Sequence, residues 1–213
     1  MGFADRAQAG ERLAERLEAL GLVDPVILAI PRGGVVVGAA VAKRLGAPLD
    51  VALARKIGAP FNEELAIGAV GEDGSVVFSQ GMVRRLDVSD AYIEDAVTHA
   101  RGEIERRRRE YVGDRAPLDV SGRTVVIVDD GIATGATAEV AARAVAAREP
   151  ASVVVAAPVA SPEAVRRLEG VADRVIVLEA PAFFSAVGQF YDRFEQLTDD
   201  EVRLTLGPWI RGP

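Results

Sequence analysis

Several residue types and patterns are missing from the 213-residue sequence, and each absence narrows the functions it can have. Cysteine is absent, which excludes disulfide bonds, thiolate catalysis and thiolate metal sites. Histidine occurs once, as His99 in a helical pattern, so a multi-histidine metal site is disfavoured and we expect a bystander. No apolar run reaches membrane-spanning length, and no charged segment followed by an apolar run opens the chain. We therefore expect a soluble cytoplasmic protein.

An excess of basic residues is also absent. The chain has 25 lysines and arginines against 32 aspartates and glutamates, a net charge of −7. This balance disfavours nucleic acids and anionic membranes as partners, because both attract basic surfaces. An anionic ligand would have to be held by local donors, a few cations or a metal. The length suits one well-cored domain, and because no linker or repeat interrupts it we expect residues 1–213 to form a single domain.

Two common phosphate-binding fingerprints are missing as well. No lysine stands at the position that a Walker loop requires, and no G-x-G-x-x-G follows the first apolar run. An aspartyl-phosphate enzyme would need a nucleophilic carboxylate after an early strand, where this chain has Pro31 and Arg32. A phosphate site in this protein must therefore have another design.

Residues 124–137 indicate such a site. Four consecutive β-branched residues at 125–128 predict a strand that is covered on both faces, as in a parallel sheet, and the strand ends in Asp129 and Asp130. A loop of small and hydroxyl residues follows, and then a helix begins. The free N–H groups of that helix start and its dipole favour a phosphate dianion. An acidic pair beside such a loop suits a ligand that joins a phosphate to a ribose, because carboxylates accept hydrogen bonds from sugar hydroxyls.

The remaining patterns predict an α/β fold. Apolar runs at 26–30, 49–54, 151–157 and 175–178 alternate with helical patterns, which indicates a Rossmann-like parallel sheet flanked by helices. Residues 65–70 and 75–78, separated by Gly-Glu-Asp-Gly, predict an antiparallel hairpin, and residues 57–64 are expected to form a loop. Ligands are expected beyond the carboxyl ends of the strands, where the strand order reverses.

Cations follow two of the predicted strands. Pro-Arg-Gly-Gly at 31–34 comes after the first strand, and Arg55 and Lys56 come after the second. Neither sequence is specific alone, but together with the loop at 131–137 they could bracket one elongated anion. A dense basic run at 106–109 is balanced by nearby glutamates, so a solvated helix face is the simpler interpretation. The alternative is a lid or subunit edge that brings arginines to a bound polyphosphate.

These motifs resemble those of the type I phosphoribosyltransferases. Residues 128–137 are similar to that family's signature for phosphoribosyl pyrophosphate (PRPP), residues 31–34 resemble its pyrophosphate loop, and residues 55–56 resemble the Arg-Lys pair of the adenine-type enzymes. The likeness is nearest to a subgroup named only as phosphoribosyltransferase-domain proteins, and it extends over nearly the whole chain. It implies the type I fold, with an antiparallel flap and lid at about 71–115. A small hood over the acceptor would comprise about 57–65 and 181–213.

The resemblance also implies an activity and its residues. The reaction would be Mg²⁺-dependent phosphoribosyl transfer from PRPP to a nitrogenous base, with release of pyrophosphate. Asp129, Asp130 and Lys56 would be catalytic, and the two aspartates would hold Mg²⁺, mostly through water. The donor would be held by Arg32, Gly33, Gly34, Lys56, Gly131, Ile132, Ala133, Thr134, Gly135, Ala136 and Thr137. A non-proline cis peptide is expected between Arg32 and Gly33.

The sequence does not specify the acceptor base. Glu64, Phe183, Phe190 and Tyr191 are candidates for an acceptor pocket under the resemblance, although the aromatic residues could equally close an ordinary core. The main alternative to an enzyme is a non-catalytic protein that binds PRPP or a nucleotide for regulation, and a third is a subunit that works beside a hydrolase. We also expect a homodimer and no nucleic-acid or membrane partner.

Overall fold

The chain folds around a parallel sheet of five strands. The computed structural model describes residues 2–210, with the side chains of Glu63 and Glu64 outside that description. The parallel strands are β1 (Pro25–Ala29), β2 (Leu49–Val51), β6 (Thr124–Val128), β7 (Ser152–Val159) and β8 (Arg174–Glu179), in the spatial order β2-β1-β6-β7-β8. A smaller antiparallel sheet contains β3 (Ala54–Ala59), β4 (Asn62–Gly71) and β5 (Val76–Phe78). The predicted α/β class is confirmed.

Helices cover both faces of the parallel sheet. They are α1 (Arg6–Glu18), α2 (Gly33–Leu45), α3 (Gln80–Arg85), α4 (Asp90–Val112), α5 (Ala136–Ala146), α6 (Pro162–Leu168) and α7 (Asp199–Ile210). Within β6, Val126 and Val128 pack in the apolar cluster of α1, α2, α4 and α7, whereas Val125 and Ile127 pack in the cluster of α5 and α6. All four side chains are fully buried, as the run of β-branched residues predicted. None of the helices between residues 2 and 210 is long and apolar enough to cross a membrane.

The strand order reverses between β1 and β6. From β1 the chain passes through α2 to β2 on one side, whereas β6 pairs with the other side of β1 and continues outward to β7 and β8. In sheets of this kind the carboxyl ends of the two strands at the reversal form a ligand-binding crevice. The loop before α2 and the acidic pair after β6 both lie at this crevice.

Side-chain caps fix where several helices begin. Asp5 accepts a hydrogen bond from the backbone N–H of Gln8 at the start of α1, and Ser89 accepts one from Tyr92 at the start of α4. Ser161 caps α6 in the same way, with Pro162 as its first residue. Such caps satisfy backbone donors that have no partner within the helix. These caps therefore define the first residues of the helices, which apolar periodicity alone does not determine.

The expectation of a loop at 57–64 is wrong. This segment is the hairpin between β3 and β4, which pair through residues such as Arg55 and Val70, and the chain turns at Pro60 and Phe61. The register shifts beside Gly58, and a shift of this kind interrupts the two-residue alternation by which a strand is recognised. The predicted hairpin at 65–78 is present as β4 and β5.

The sequence patterns do not indicate α3 or α7. Pro208 lies inside α7 and obscures its helical pattern, since proline is the least favourable residue within a helix. A signal for the start of α7 does exist. Thr198 and Glu201 exchange hydrogen bonds in a capping box, in which the N–H of Thr198 donates to the Glu201 carboxylate at 2.8 Å and the N–H of Glu201 donates to the Thr198 hydroxyl at 3.2 Å.

A buried group of charges ties α4 to both sheets. Arg108 of α4 pairs with Asp50 of β2 at 3.0 Å and with Glu72, in the turn after β4, at 2.8 Å. Arg115 also contacts Asp50, and Arg148 also contacts Glu72. Burial raises the pKa of Glu72 to about 7, although the charges of Arg108 and Arg148 act to lower it. The basic run at 106–109 is therefore not a uniformly solvated face, because its third arginine is part of the interior.

Candidate active site

Two glycines bring the start of α2 against the acidic pair. A Cβ atom on Gly34 would lie 2.6 Å from the carbonyl oxygen of Val128 and 2.9 Å from the Cα atom of Asp129. A Cβ atom on Gly33 would lie 1.8 Å from Oδ2 of Asp130. At Gly34 the obstructing atoms are backbone atoms, so the close approach of the two loops depends on glycine there, whereas a side chain at Gly33 would displace the carboxylate of Asp130 and its partner Arg6. The structure thus joins the loop at 31–34 and the acidic pair in one crevice.

The two carboxylates have different surroundings. Oδ1 of Asp129 accepts a hydrogen bond from the backbone N–H of Asp130 at 2.9 Å, and Oδ2 of Asp130 accepts one from Nε of Arg6 at 2.7 Å. Burial raises the pKa of Asp129 well above its ordinary value, and the negative charge of Asp130 raises it further. The hydrogen bond from Asp130 and the charge of Arg6 act in the opposite direction. A side-chain hydrogen bond between the two carboxyl groups also raises the pKa of Asp129, so the two groups are in direct contact.

Arg6 is a site residue that sequence reasoning missed. Besides its bond to Asp130, it donates from NH1 to the carbonyl oxygen of Glu195 at 2.9 Å, and its guanidinium carbon lies 3.9 Å from the ring centroid of Phe194. Its side chain is only 11% exposed. Arg6 lies 124 positions from Asp130 in the sequence, so no spacing rule connects the two residues.

The loop after the acidic pair is anchored through its carbonyl groups. The Ser161 hydroxyl donates to the carbonyl oxygen of Ala133 at 2.6 Å, and NH1 of Arg167 donates to that of Thr134 at 3.0 Å. Gly135 has φ = +77° and caps α5, which begins at Ala136. The first N–H groups of α5 therefore lie at the crevice, in the arrangement that favours an anion.

The other predicted loop residues are placed differently. Ile132 is buried, and its N–H donates to the carbonyl oxygen of Val159 at 2.9 Å, so that group is already used in the fold. Gly131 is also buried, and a Cβ atom there would lie 2.3 Å from the side chain of Val187. Thr137 is exposed on the first turn of α5. The loop is thus buried at 131–132 and more accessible at 133–137, where Gly135 alone is buried.

The predicted cations Lys56 and Arg32 have different surroundings. Lys56, on β3, lines two open cavities of about 530 and 770 Å³, and Thr134 and Ala136 of the phosphate loop line both of them as well. His99, the expected bystander, lines the larger cavity from the exposed side of α4. The guanidinium group of Arg32 extends toward α7, where NH1 lies 4.0 Å from Asp199.

The non-proline cis peptide lies one bond earlier than expected. It joins Pro31 to Arg32, not Arg32 to Gly33. Gly33 is the first residue of α2, and Arg32 before it already has near-helical torsion angles of φ = −93° and ψ = −43°. The bond between Arg32 and Gly33 is therefore part of the helix start, which is built from trans peptides.

The candidate acceptor residues lie in separate environments. Tyr191 is buried between the rings of Phe3 and Phe194, at 5.4 and 5.0 Å, and its hydroxyl donates to the carbonyl oxygen of Asp130. Phe190 packs on Phe184 at 5.1 Å, and Phe183 is 92% exposed. The side chain of Glu64 lies outside the described residues. Tyr191 thus supports Asp130, and no common pocket of these aromatic residues is formed by the contacts described.

The acidic pair is compatible with Mg²⁺ that is held mainly by a substrate. Among residues 2–210, no group of three or more histidine, aspartate or glutamate side chains could hold a metal ion by itself. Mg²⁺ commonly binds through one or two carboxylates, water and substrate phosphates, and the adjacent carboxylates of Asp129 and Asp130 suit that mode. These residues therefore fit the metal that the sequence resemblance implies.

Comparisons with known proteins agree with this geometry. The family model described as "Phosphoribosyl transferase domain" matches residues 4–194. Two Mycobacterium tuberculosis proteins, Rv0571c of strain H37Rv and MT0597 of strain CDC 1551, are both named "Putative phosphoribosyl transferase" and are 47% identical to this chain over 201 residues. These matches cover 94% of this chain and 45% of each relative, so the chain spans about half the length of those proteins. The crystal structure of TT1426 from Thermus thermophilus is 46% identical, with a TM-score of 0.90 over 99% of both chains. The chain therefore belongs to the phosphoribosyl transferase domain family.

Proposed function

We propose that this protein transfers the phosphoribosyl group of PRPP to a nitrogen atom of an acceptor base and releases pyrophosphate. The observation that carries the proposal is the meeting of three features at the strand reversal. These are the acidic pair after β6, the accessible amide loop at the start of α5, and the glycine-dependent start of α2 at Gly33 and Gly34. PRPP presents ribose hydroxyls, a 5′-phosphate and a pyrophosphate, and these three features offer a group for each.

The chain's own residues would orient the donor. The ribose hydroxyls would donate to the carboxylate oxygens of Asp129 and Asp130, and the 5′-phosphate would accept from the N–H groups at 133–137. Arg6 holds Oδ2 of Asp130 at 2.7 Å, so the carboxylate is already fixed when the sugar arrives. This fixed orientation favours transfer, because reacting groups must be held close to their reactive geometry.

The reaction breaks the bond between the anomeric carbon and a pyrophosphate oxygen, and a bond from that carbon to the acceptor nitrogen forms. Positive charge grows on the ribose ring as the bond breaks, and the nearby carboxylates stabilise it electrostatically. The departing pyrophosphate takes the bonding electron pair, and Lys56 and the N–H groups at the start of α2 stabilise its charge. Mg²⁺, when bound, would neutralise further charge on the pyrophosphate. No covalent intermediate with a side chain is required.

The acceptor would enter beside Lys56. The two cavities that Lys56 lines, about 530 and 770 Å³, are within the range of ordinary small-molecule sites. The larger one has Tyr92, whose hydroxyl donates to the carbonyl oxygen of Gly58 at 3.0 Å, and His99 on its walls. A flat nitrogenous base is the acceptor class that we propose for this space. Phe183 and Phe190 stay predictions as acceptor contacts, and so do the cytoplasmic location and the homodimer.

The test is release of pyrophosphate from PRPP with Mg²⁺, measured against a panel of purine and pyrimidine bases. Turnover with one base, at a rate well above hydrolysis without a base, is the expected result. The Asp129→Asn/Asp130→Asn variant should lose PRPP binding, because neutral amides are weaker acceptors for the ribose hydroxyls. Asp114→Asn is the control, since its side chain is 99% exposed and distant in sequence from the site.

Two outcomes would overturn the proposal. Tight PRPP binding without turnover across the whole panel would favour a non-catalytic binding protein. Unchanged PRPP affinity in the double asparagine variant would remove Asp129 and Asp130 from the donor site.

A further inference from the structure

The basic run at 106–109 divides into residues with different surroundings. Arg108 is buried among carboxylates, and Arg109, 75% exposed, lies 3.9 Å from Asp114. Arg106 and Arg107 instead line an open cavity, of about 470 Å³, together with Arg32 from the loop after β1. Two segments far apart in the sequence thus contribute three arginines to the lining of one space.

Two carboxylates and one hydroxyl complete this cavity. Glu110 lies 3.5 Å from NH1 of Arg106, one helical turn along α4. Asp199, the first residue of α7, lies 4.0 Å from NH1 of Arg32 and accepts a hydrogen bond from the Tyr111 hydroxyl at 2.9 Å. The cavity therefore holds three positive charges against two negative ones, although the whole chain carries a net charge of −7.

Asp199 occupies the position that an incoming oxyanion would take. Its carboxylate is a shared partner for a guanidinium and a phenol, and its side chain is 39% exposed, so it can be displaced without unfolding the core. Desolvation and the hydrogen bond to Asp199 raise the pKa of Tyr111 to about 12, so the phenol stays a donor at neutral pH. Arginine forks and a phenol are donors that suit phosphate oxygens.

We propose that Arg32, Arg106 and Arg107 form a second anion subsite, which binds a phosphate or pyrophosphate group in competition with Asp199. The subsite is separate from the amide loop at 133–137 and shares only Arg32 with the proposed donor site. Anion binding there does not depend on the transfer reaction. The bound group is either the outer phosphate of a ligand that extends from the donor site or a phosphate of an independent molecule.

Calorimetric titration with inorganic pyrophosphate, without divalent metal, tests the subsite. Arg107→Ala should weaken binding by about tenfold, as expected for a charge-assisted hydrogen bond to a phosphate oxygen. Arg109→Ala is the matched control on the same helix and should change the affinity by less than about twofold, because exposed and poorly paired charges contribute little. Equal effects of the two variants would overturn the subsite, and so would no effect of either.

Asp199→Asn gives a result of opposite sign. Removal of the competing carboxylate from Arg32 should tighten pyrophosphate binding, which a loss of folding could not produce. Unchanged or weaker binding in this variant, with its circular dichroism spectrum intact, would overturn the competition with Asp199. Failure of the proposed transferase function is detected separately, because Asp129→Asn/Asp130→Asn should leave this subsite's pyrophosphate affinity intact.

Stoichiometry then identifies the source of the anion. If PRPP displaces the bound pyrophosphate and one pyrophosphate binds per chain, the subsite receives the outer phosphate of a donor-site ligand. If pyrophosphate still binds in the presence of saturating PRPP, and Arg107→Ala abolishes that second event, the subsite serves an independent phosphorylated molecule. Either result supports the subsite. If Arg107→Ala changes pyrophosphate binding neither without PRPP nor with saturating PRPP, the subsite is contradicted.

Discussion

Replacement of Arg6 with alanine should change the titration of the acidic pair. The guanidinium of Arg6 lies 2.7 Å from Asp130, and their side chains are 11% and 13% exposed, so the pair is largely shielded from water. Burial and the charge of Asp130 raise the pKa of Asp129, and the charge of Arg6 acts to lower it. Removal of Arg6 should therefore raise the pKa of Asp129 further, because no opposite charge then favours its ionised form. Loss of one partner from such a shielded pair should also cost about 3 kcal/mol of unfolding free energy.

Two measurements check this reasoning. Carboxyl carbon chemical shifts report the titration of Asp129, and PRPP affinity as a function of pH should show its acidic limb shifted upward, since a protonated carboxyl is a poorer acceptor for ribose hydroxyls. Arg6→Lys should retain part of the effect because it keeps the charge. Arg12→Ala is the matched control: Arg12 lies on the same helix, 4.8 Å from the ring of Phe3 and 3.8 Å from Glu179. A titration curve for Arg6→Ala that overlays the wild-type curve would refute the electrostatic role of Arg6.

Two further substitutions probe the packing around the site, and a third probes the buried charges that join α4 to the sheets. Gly33→Ala places a Cβ atom 1.8 Å from Asp130 and should weaken PRPP binding at least tenfold, whereas Gly102→Ala, with no atom within 4 Å, should be tolerated; similar binding curves would contradict this. Tyr191→Phe removes the hydroxyl bond to the Asp130 carbonyl and should lower the unfolding free energy by about 1 kcal/mol in urea titrations, and no loss would contradict that bond. Burial raises the pKa of Glu72 from 4.5 to about 7, so wild-type stability should fall as pH rises through that interval. The unfolding free energy of Glu72→Gln, measured relative to that of wild type, should therefore rise by about 3 kcal/mol as pH increases across this interval. A difference in unfolding free energy that does not change with pH would contradict the raised pKa.

The elements that sequence predicted well are those that local patterns determine. The strand at 125–128 must be covered on both faces because its consecutive residues are all β-branched, and the structure buries all four. The hairpin at 65–78 follows from a Gly-containing turn between two apolar runs. The meeting of Gly33 and Gly34 with the acidic pair follows from one topological rule about strand ends. In each case a short stretch of sequence carries the information.

The features that sequence did not predict depend on long-range contacts. Arg6 is one arginine among many, and only the folded chain places it against Asp130. Arg108 belongs to a basic run whose sequence pattern indicates a solvated helix face, yet its side chain lies in the interior, where it pairs with buried Asp50 and Glu72. Residues 57–64 contain proline and asparagine, and a register shift conceals the strand alternation. Composition and spacing contain no measure of such contacts.

Two segments that are far apart in the sequence converge on Asp130, and this convergence explains why the site needs so much of the chain. Arg6 binds the side chain of Asp130, and Tyr191 binds its carbonyl oxygen. These two supports are themselves joined, because the N–H of Phe3 donates to the carbonyl oxygen of Phe190 at 2.7 Å and the rings of Phe3 and Tyr191 are 5.4 Å apart. These two segments together hold Asp130 at the crevice, where it faces the start of α2.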